Sequence, residues 1–129
     1  MTRTVSLDDI PYRADSAGLF ECLRDLPGAA LLDCGFPRSA RGRWDILVAD
    51  PATGAPLAPA DGVSPAWFTA VGEFMKDRYG DVQAASEDIP FSGGLLGYLG
   101  YDVGLRLNRV AMTRAQPTAL PAASLQAYD

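Results

Sequence analysis

The sequence has no histidine and is poor in lysine and cysteine. Its 129 residues include two cysteines, and Lys76 is the single lysine. Without histidine the chain cannot assemble a Ser–His or Cys–His nucleophilic centre. Two cysteines alone cannot supply a four-ligand zinc site. Aspartates near the predicted strands are better explained by turns and ion pairs than by acid/base catalysis or cation binding, so we expect neither a catalytic residue nor a metal site within this chain.

Long apolar runs and an excess of positive charge are also missing. No stretch approaches the roughly 20 apolar residues of a membrane-spanning helix, and the N-terminus shows no apolar signal-peptide core. Acidic residues outnumber basic ones by 16 to 11, giving a net charge of −5, which disfavours binding to nucleic acid or anionic membranes. We expect a cytoplasmic protein with reduced cysteines and with neither kind of partner.

The remaining composition is typical of one soluble globular domain spanning residues 1–129. Apolar residues make up 48% and charged residues 21%, both ordinary values for such a domain. The length also falls within the range of a single domain.

Two segments have the apolar spacing of helices. Residues 15–28 carry apolar side chains at intervals of three and four, with a capping residue at the start and Pro-Gly at the end. Cys22 lies beside this stripe, which predicts a small buried filler. The clearer helix begins after Ser64 with Pro65 at its first position, and it ends at Gly80. Its apolar stripe, interpreted as core, comprises Trp67, Phe68, Val71, Phe74, Met75 and Tyr79.

The strands are short. Residues 29–35 and 44–49 predict a hairpin with a long connection, and residues 5–12 predict an edge strand that stops at a proline. A further strand begins within residues 120–129, and a short helix is predicted at 105–109. The predicted fold class is α+β, with a mostly antiparallel sheet and two main helices.

A glycine-dotted run carries Gly93, Gly94, Gly97 and Gly100. A nucleotide-binding loop needs such glycines between a strand and a helix, and a phosphate loop needs a lysine after them. Aromatic residues follow here, with no lysine and no helix-forming stretch. The run therefore indicates a close approach of another backbone.

The predicted hairpin holds the best candidate for a small-molecule site. Asp33 and Cys34 end its first strand, and Arg43 and Trp44 begin the second. The loop between them adds Arg38 and Arg41. A carboxylate, guanidinium groups and an aromatic wall suit a zwitterionic amino acid, with its ammonium on Asp33. The structural alternative is an Arg43–Asp45 pair across the hairpin.

Two segments together carry a family resemblance. Residues 31–35 read Leu-Leu-Asp-Cys-Gly, and residues 42–51 read Gly-Arg-Trp-Asp-Ile-Leu-Val-Ala-Asp-Pro. Residues 90–102 read Pro-Phe-Ser-Gly-Gly-Leu-Leu-Gly-Tyr-Leu-Gly-Tyr-Asp. The chain resembles the N-terminal domain of the chorismate-utilising enzymes, in the branch of para-aminobenzoate (aminodeoxychorismate) synthase component I. The related anthranilate synthases usually show Leu-Leu-Glu-Ser in the first segment.

The resemblance implies a function on the folate pathway. Members of the branch convert chorismate to 4-amino-4-deoxychorismate, with ammonia from a glutamine amidotransferase subunit. It also implies that Mg²⁺, the chorismate site and the catalytic residues belong to a C-terminal chorismate-binding domain beyond this sequence. The N-terminal domain then has no cofactor of its own, and we expect this chain alone to be inactive.

The resemblance further implies a pocket for tryptophan, found in some relatives. Its residues here are Asp33, Cys34, Arg43, Trp44 and Ile46. Cys34 stands where serine is common.

Two alternatives stay open: the N-terminal domain of anthranilate synthase component I, in tryptophan biosynthesis, and a stand-alone small-molecule binding module. If the chain is an isolated domain, we expect an exposed apolar sheet face that drives self-association.

Overall fold

Short strands and helices alternate along the chain in the computed structural model, which describes residues 3–36, 38, 42–52, 59, 62–83, 88–111 and 120–129. The elements of the described residues are, in order, β1 (Arg3–Thr4), α1 (Ser16–Phe20), β2 (Ala30–Leu32), β3 (Ile46–Val48), α2 (Pro65–Tyr79), β4 (Val82–Gln83), β5 (Gly94–Leu99), α3 (Tyr101–Leu107) and β6 (Ala123–Tyr128).

The strands form three two-stranded sheets. The β2–β3 pair is the predicted antiparallel hairpin, with Leu31 opposite Leu47. The β5–β6 pair is also antiparallel and places Gly97 opposite Leu125, whereas β1 and β4 run parallel. The α+β class with mostly antiparallel pairing is confirmed.

Strand β6 is contacted along both of its edges. Its Ala123 and Ala127 are completely buried. On one edge β5 approaches so closely that a Cβ at Gly97 would overlap the carbonyl oxygen of Ser124. On the other, the Ala52 amide donates to the carbonyl of Ala127 at 2.8 Å. The glycine run therefore makes the close backbone contact that the sequence predicts.

Helix α2 begins and ends where the sequence predicts. The Ser64 hydroxyl accepts the Trp67 amide at 3.2 Å, Pro65 occupies the first turn, and the Gly80 amide donates to the Lys76 carbonyl at 2.9 Å. No side chain of α2 is fully buried. Trp67 packs against a small core of Val63, Val103 and Ala123.

Three predicted boundaries differ from the structure. The edge strand at residues 5–12 is wrong, because β1 stops at Thr4, where its described partner β4 also ends. The first helix ends at Phe20, and the chain then tightens into three-residue turns, such as the 2.8 Å bond from the Leu23 amide to the Phe20 carbonyl. Those turns leave Cys22 exposed, so its prediction as a buried filler is wrong.

The last helix begins four residues earlier than predicted. It starts at Tyr101 because Gly100 acts as its N-cap, with the Val103 amide donating to the Gly100 carbonyl at 3.0 Å. A helix therefore does follow the glycine run, contrary to expectation. Gly93 precedes β5 and Gly94 and Gly97 lie within it, so Gly100 alone of the four stands between the strand and the helix. No described helix is long and apolar enough to cross a bilayer.

The described core is small, and much apolar surface is left open. No large side chain in the described residues is completely buried, whereas Tyr12 and Tyr101 are 81% and 89% exposed.

The close contact between β5 and β6 predicts that substitutions at two glycines change the free energy of unfolding in opposite directions. Gly97→Val should lower the free energy of unfolding by about 1–3 kcal/mol, because the new side chain collides with backbone rather than with a movable side chain. Gly72, inside α2, has no atom within 4 Å of an added Cβ. The control Gly72→Ala should therefore raise stability by about 0.5–1 kcal/mol. Urea denaturation measures both, and an unchanged midpoint for Gly97→Val would contradict the contact.

The open apolar surface predicts self-association of the isolated chain. Light scattering coupled to size-exclusion chromatography should give a mass above 13.7 kDa that rises with protein concentration, since burial of apolar surface drives association. A strictly monomeric mass at every working concentration would contradict this prediction.

Candidate functional site

The loop end of the β2–β3 hairpin borders a cavity of about 780 Å³. This volume lies in the range of small-molecule sites. The segment before α1 forms the facing wall. The lining residues that carry polar or aromatic groups include Tyr12, Arg13, Cys34, Arg43, Trp44 and Asp45. We refer to this space as the hairpin cavity.

Asp45 holds the wall of the hairpin cavity together. Its carboxylate accepts the Cys34 amide at 2.8 Å, and the Cys34 thiol lies within 4.8 Å of it. The polar groups of Cys34 and Ser16 favour the ionised acid and lower the pKa of Asp45. The Asp45 carboxylate in turn raises the pKa of the Cys34 thiol. A raised pKa disfavours the thiolate, which is the nucleophilic form of cysteine.

Asp33 forms a hydrogen bond within its own turn. Its carboxylate accepts the Gly35 amide two residues on, at 2.6 Å, which is the local bond of an Asx turn. It lines a smaller neighbouring cavity of about 230 Å³ together with Ser16 and Arg38. The side chain that was expected to receive an ammonium thus shapes the turn after β2.

The predicted site residues are only partly brought together. Cys34, Arg43 and Trp44 line the hairpin cavity, Asp33 lines its neighbour, and Ile46 lies within β3, opposite Leu32. Arg41, the second loop arginine, lies outside the described residues. Whether tryptophan binds here stays a prediction.

The proposed Arg43–Asp45 pair is wrong. The described residues contain no ion pair between these two side chains, since Asp45 turns toward Cys34 at the end of β2. Both nevertheless line the same cavity, because residues two apart on an extended segment share a face. The two-residue spacing from Arg43 could have been used to predict that Asp45 lines the same cavity. The facing residues Tyr12 and Arg13 precede α1 and carried no such signal.

Asp33, Cys34 and Asp45 present ligand atoms within 4.8 Å of one another. Two carboxylates suit a hard cation. The Asp45 carboxylate disfavours the thiolate of Cys34, however, and the thiolate is the form that binds a metal ion. The hydrogen bonds within the cluster account for its geometry, and we assign no ion to it.

Known proteins resemble this chain along nearly its whole length. It is 36% identical to aminodeoxychorismate synthase component 1 of Salmonella typhimurium over 132 residues, which cover 93% of this chain and 29% of that protein. It is 31% identical to the protein of the same name from Escherichia coli over 128 residues, covering 92% and 28%. The Klebsiella aerogenes protein of that name is 27% identical over 143 residues, covering 93% and 29%.

The resemblance to aminodeoxychorismate synthase component 1 is thereby confirmed. The chain spans less than a third of the length of these relatives. No family model matches it, and no solved structure matches it significantly.

The thiol–carboxylate contact predicts how Cys34 reacts. In a Cys22→Ser background, which leaves Cys34 as the single thiol, Asp45→Asn should shift the pH midpoint of alkylation by iodoacetamide downward. The reason is that the asparagine side chain is uncharged, whereas the negative charge of Asp45 opposes thiolate formation. Following the reaction across pH by mass spectrometry measures the midpoint.

The matched control is Asp50→Asn, which removes an acid just beyond β3 and should leave the midpoint in place. An Asp45→Asn midpoint equal to that of the parent would show that the carboxylate does not hold the thiol proton.

Proposed function

We propose that this chain is the non-catalytic N-terminal part of an aminodeoxychorismate synthase component 1, the protein to which it is similar along 93% of its length. That alignment carries the proposal. It includes both halves of the hairpin and the strand β5, so the shared pattern extends over the elements that border the cavity and pack the core.

The reaction implied by the resemblance replaces the 4-hydroxyl of chorismate with the nitrogen of ammonia, releasing water and giving 4-amino-4-deoxychorismate for para-aminobenzoate and folate synthesis. We assign its chemistry, and the Mg²⁺ it uses, to the remaining part of the enzyme. Two features of this chain favour a non-catalytic role. The Asp45 carboxylate raises the pKa of Cys34 in the hairpin cavity and so disfavours its thiolate, and the sequence contains no histidine to serve as a general base.

The partners in this proposal are the chorismate-binding domain of the same enzyme and a glutamine amidotransferase subunit that supplies ammonia. The exposed apolar side chains support the first of these contacts. Tyr98 and Leu99 at the end of β5, Tyr101 at the start of α3 and Leu120 before β6 are all exposed. Large apolar side chains in such numbers are typical of a surface covered by another domain. The cytoplasm is the compartment consistent with this pathway.

The anthranilate synthase alternative is less well supported. The relatives described above all carry the aminodeoxychorismate name. Asp33 also forms its turn in a segment where anthranilate synthases usually have Leu-Leu-Glu-Ser.

A segment exchange tests the proposal. The aligned segment of the Salmonella protein is replaced by this chain, and 4-amino-4-deoxychorismate formation is measured with ammonium as the nitrogen source. We expect activity within about tenfold of the parent and none from the isolated chain. Introducing Gly97→Val into the chimera should reduce the yield of active protein, because it disturbs the β5–β6 contact, whereas Gly72→Ala should not.

The corresponding Escherichia coli segment provides the positive control, since its protein carries the same name. A folded chimera that is inactive while the Escherichia coli exchange is active would refute the proposal. So would conversion of chorismate by the isolated 129-residue chain.

A further inference from the structure

Residues 5–10 follow β1 without continuing its pairing, and we call them the N-terminal segment. The first four of these residues alternate between apolar and polar, which is the pattern of a strand with one covered face. Pairing nevertheless stops at Thr4, and none of the described strand pairs includes the segment. Its Leu7 and Ile10 side chains are 53% and 71% exposed. The segment therefore has the sequence of a strand but no described strand beside it.

An apolar groove runs along the N-terminal segment. Two cavities, of about 560 and 360 Å³, share Val5 and Ser92 in their walls. The end of α2 and strand β4 complete the larger cavity. Residues 47–49 of the hairpin, together with Ile89 and Phe91, complete the smaller one. We call the two cavities together the N-terminal groove, which lies on the side of the hairpin away from its loop.

The N-terminal groove offers apolar surface and hydrogen bonding without a net charge. The charged residues of its described lining are Arg78 and Asp129, and they pair with each other, with Arg78 Nε donating to Asp129 Oδ1 at 2.9 Å. The Ser92 hydroxyl is buried and has no hydrogen-bond partner among the described residues, which is costly unless a further group supplies one. These features suit an uncharged, mostly apolar stretch of polypeptide better than a small charged ligand.

We propose that the N-terminal groove receives a β-strand from the remaining part of the enzyme, and that this strand pairs with the N-terminal segment and covers Leu7. The inference rests on the proposed function. The chain spans less than a third of the length of its relatives, so each relative has further polypeptide that could supply the strand. A strand is the favoured occupant because an unpaired extended segment presents a row of backbone donors and acceptors, and the adjacent groove takes the side chains of the added strand.

Hydrogen–deuterium exchange followed by mass spectrometry measures this pairing. It is applied to the isolated chain and to the chimera of the segment exchange, which contains the remaining part of the Salmonella protein. Backbone amides exchange slowly when they are held in a stable sheet. Peptides spanning residues 5–10 should therefore exchange at least about tenfold more slowly in the chimera. Residues 21–26, in the exposed turns after α1 and outside the groove, provide the internal control and should change much less.

A pair of leucine variants tests the groove itself. Leu7 lines the smaller cavity, and Leu7→Asp should reduce the protection of the N-terminal segment in the chimera by about tenfold, because a carboxylate is costly to bury without a partner. The matched control is Leu26→Asp. Leu26 is 45% exposed and lies outside the groove, so the protection of residues 5–10 should not change. Circular dichroism reports whether each variant is folded, and the Escherichia coli exchange provides a second scaffold for the same measurements.

Three results would overturn the inference. The first is equal exchange of residues 5–10 in the isolated chain and in a folded chimera, and the second is unchanged protection in a folded Leu7→Asp chimera. The third is protection that appears in the isolated chain and rises with its concentration, because the occupant would then be a second copy of the chain. An active chimera with an unprotected segment would refute this inference alone, whereas a folded, inactive chimera with a protected segment would contradict the proposed function.

Discussion

The close approach of other backbone segments to strand β6 is the constraint on which the fold depends. β5 can lie against β6 because Gly97 has no side chain to collide with the Ser124 carbonyl. The turn after α1 approaches the same strand through Gly28, whose φ of +61° and lack of a Cβ fit it between Gln126 and Pro51. The Tyr128 hydroxyl bonds the Gly28 carbonyl at 2.6 Å. Two segments distant in sequence are thereby held to one strand.

This arrangement anchors the β2–β3 hairpin at the end away from its loop. At the anchored end the Asp50 amide donates to the Pro27 carbonyl at 2.7 Å, and the Ala52 amide donates to β6. None of the buried residues of the described chain lies at the loop end of the hairpin, and the Asp45–Cys34 contact joins its two sides there instead. A carboxylate that is buried only in part can do this because it accepts a backbone amide as well as side chains. The cavity lies where side-chain hydrogen bonds replace packing.

The sequence was most informative where local chemistry decides the outcome. Ser64, Pro65 and Gly80 bounded α2 because capping depends on a few adjacent residues. The hairpin followed from two short apolar runs. The sequence was less informative where contacts between distant segments decide. The predicted strand at residues 5–12 pairs with no described strand, and α1 ends early although its apolar spacing continues. The contact between Asp45 and the Cys34 amide was missed for the same reason, since it joins residues from the two sides of the hairpin.

The sizes of the buried and exposed apolar side chains bear on the proposed contact with another domain. The buried hydrophobic residues of the described chain are mostly alanine and valine, together with Tyr128. Their small side chains allow close backbone contact but remove little apolar area from water, and the hydrophobic free energy is proportional to that area. Large apolar side chains lie instead at the ends of β5, α3 and the hairpin, where they remain exposed. In the proposed enzyme, another domain would cover those ends and bury the apolar area that the small residues do not supply.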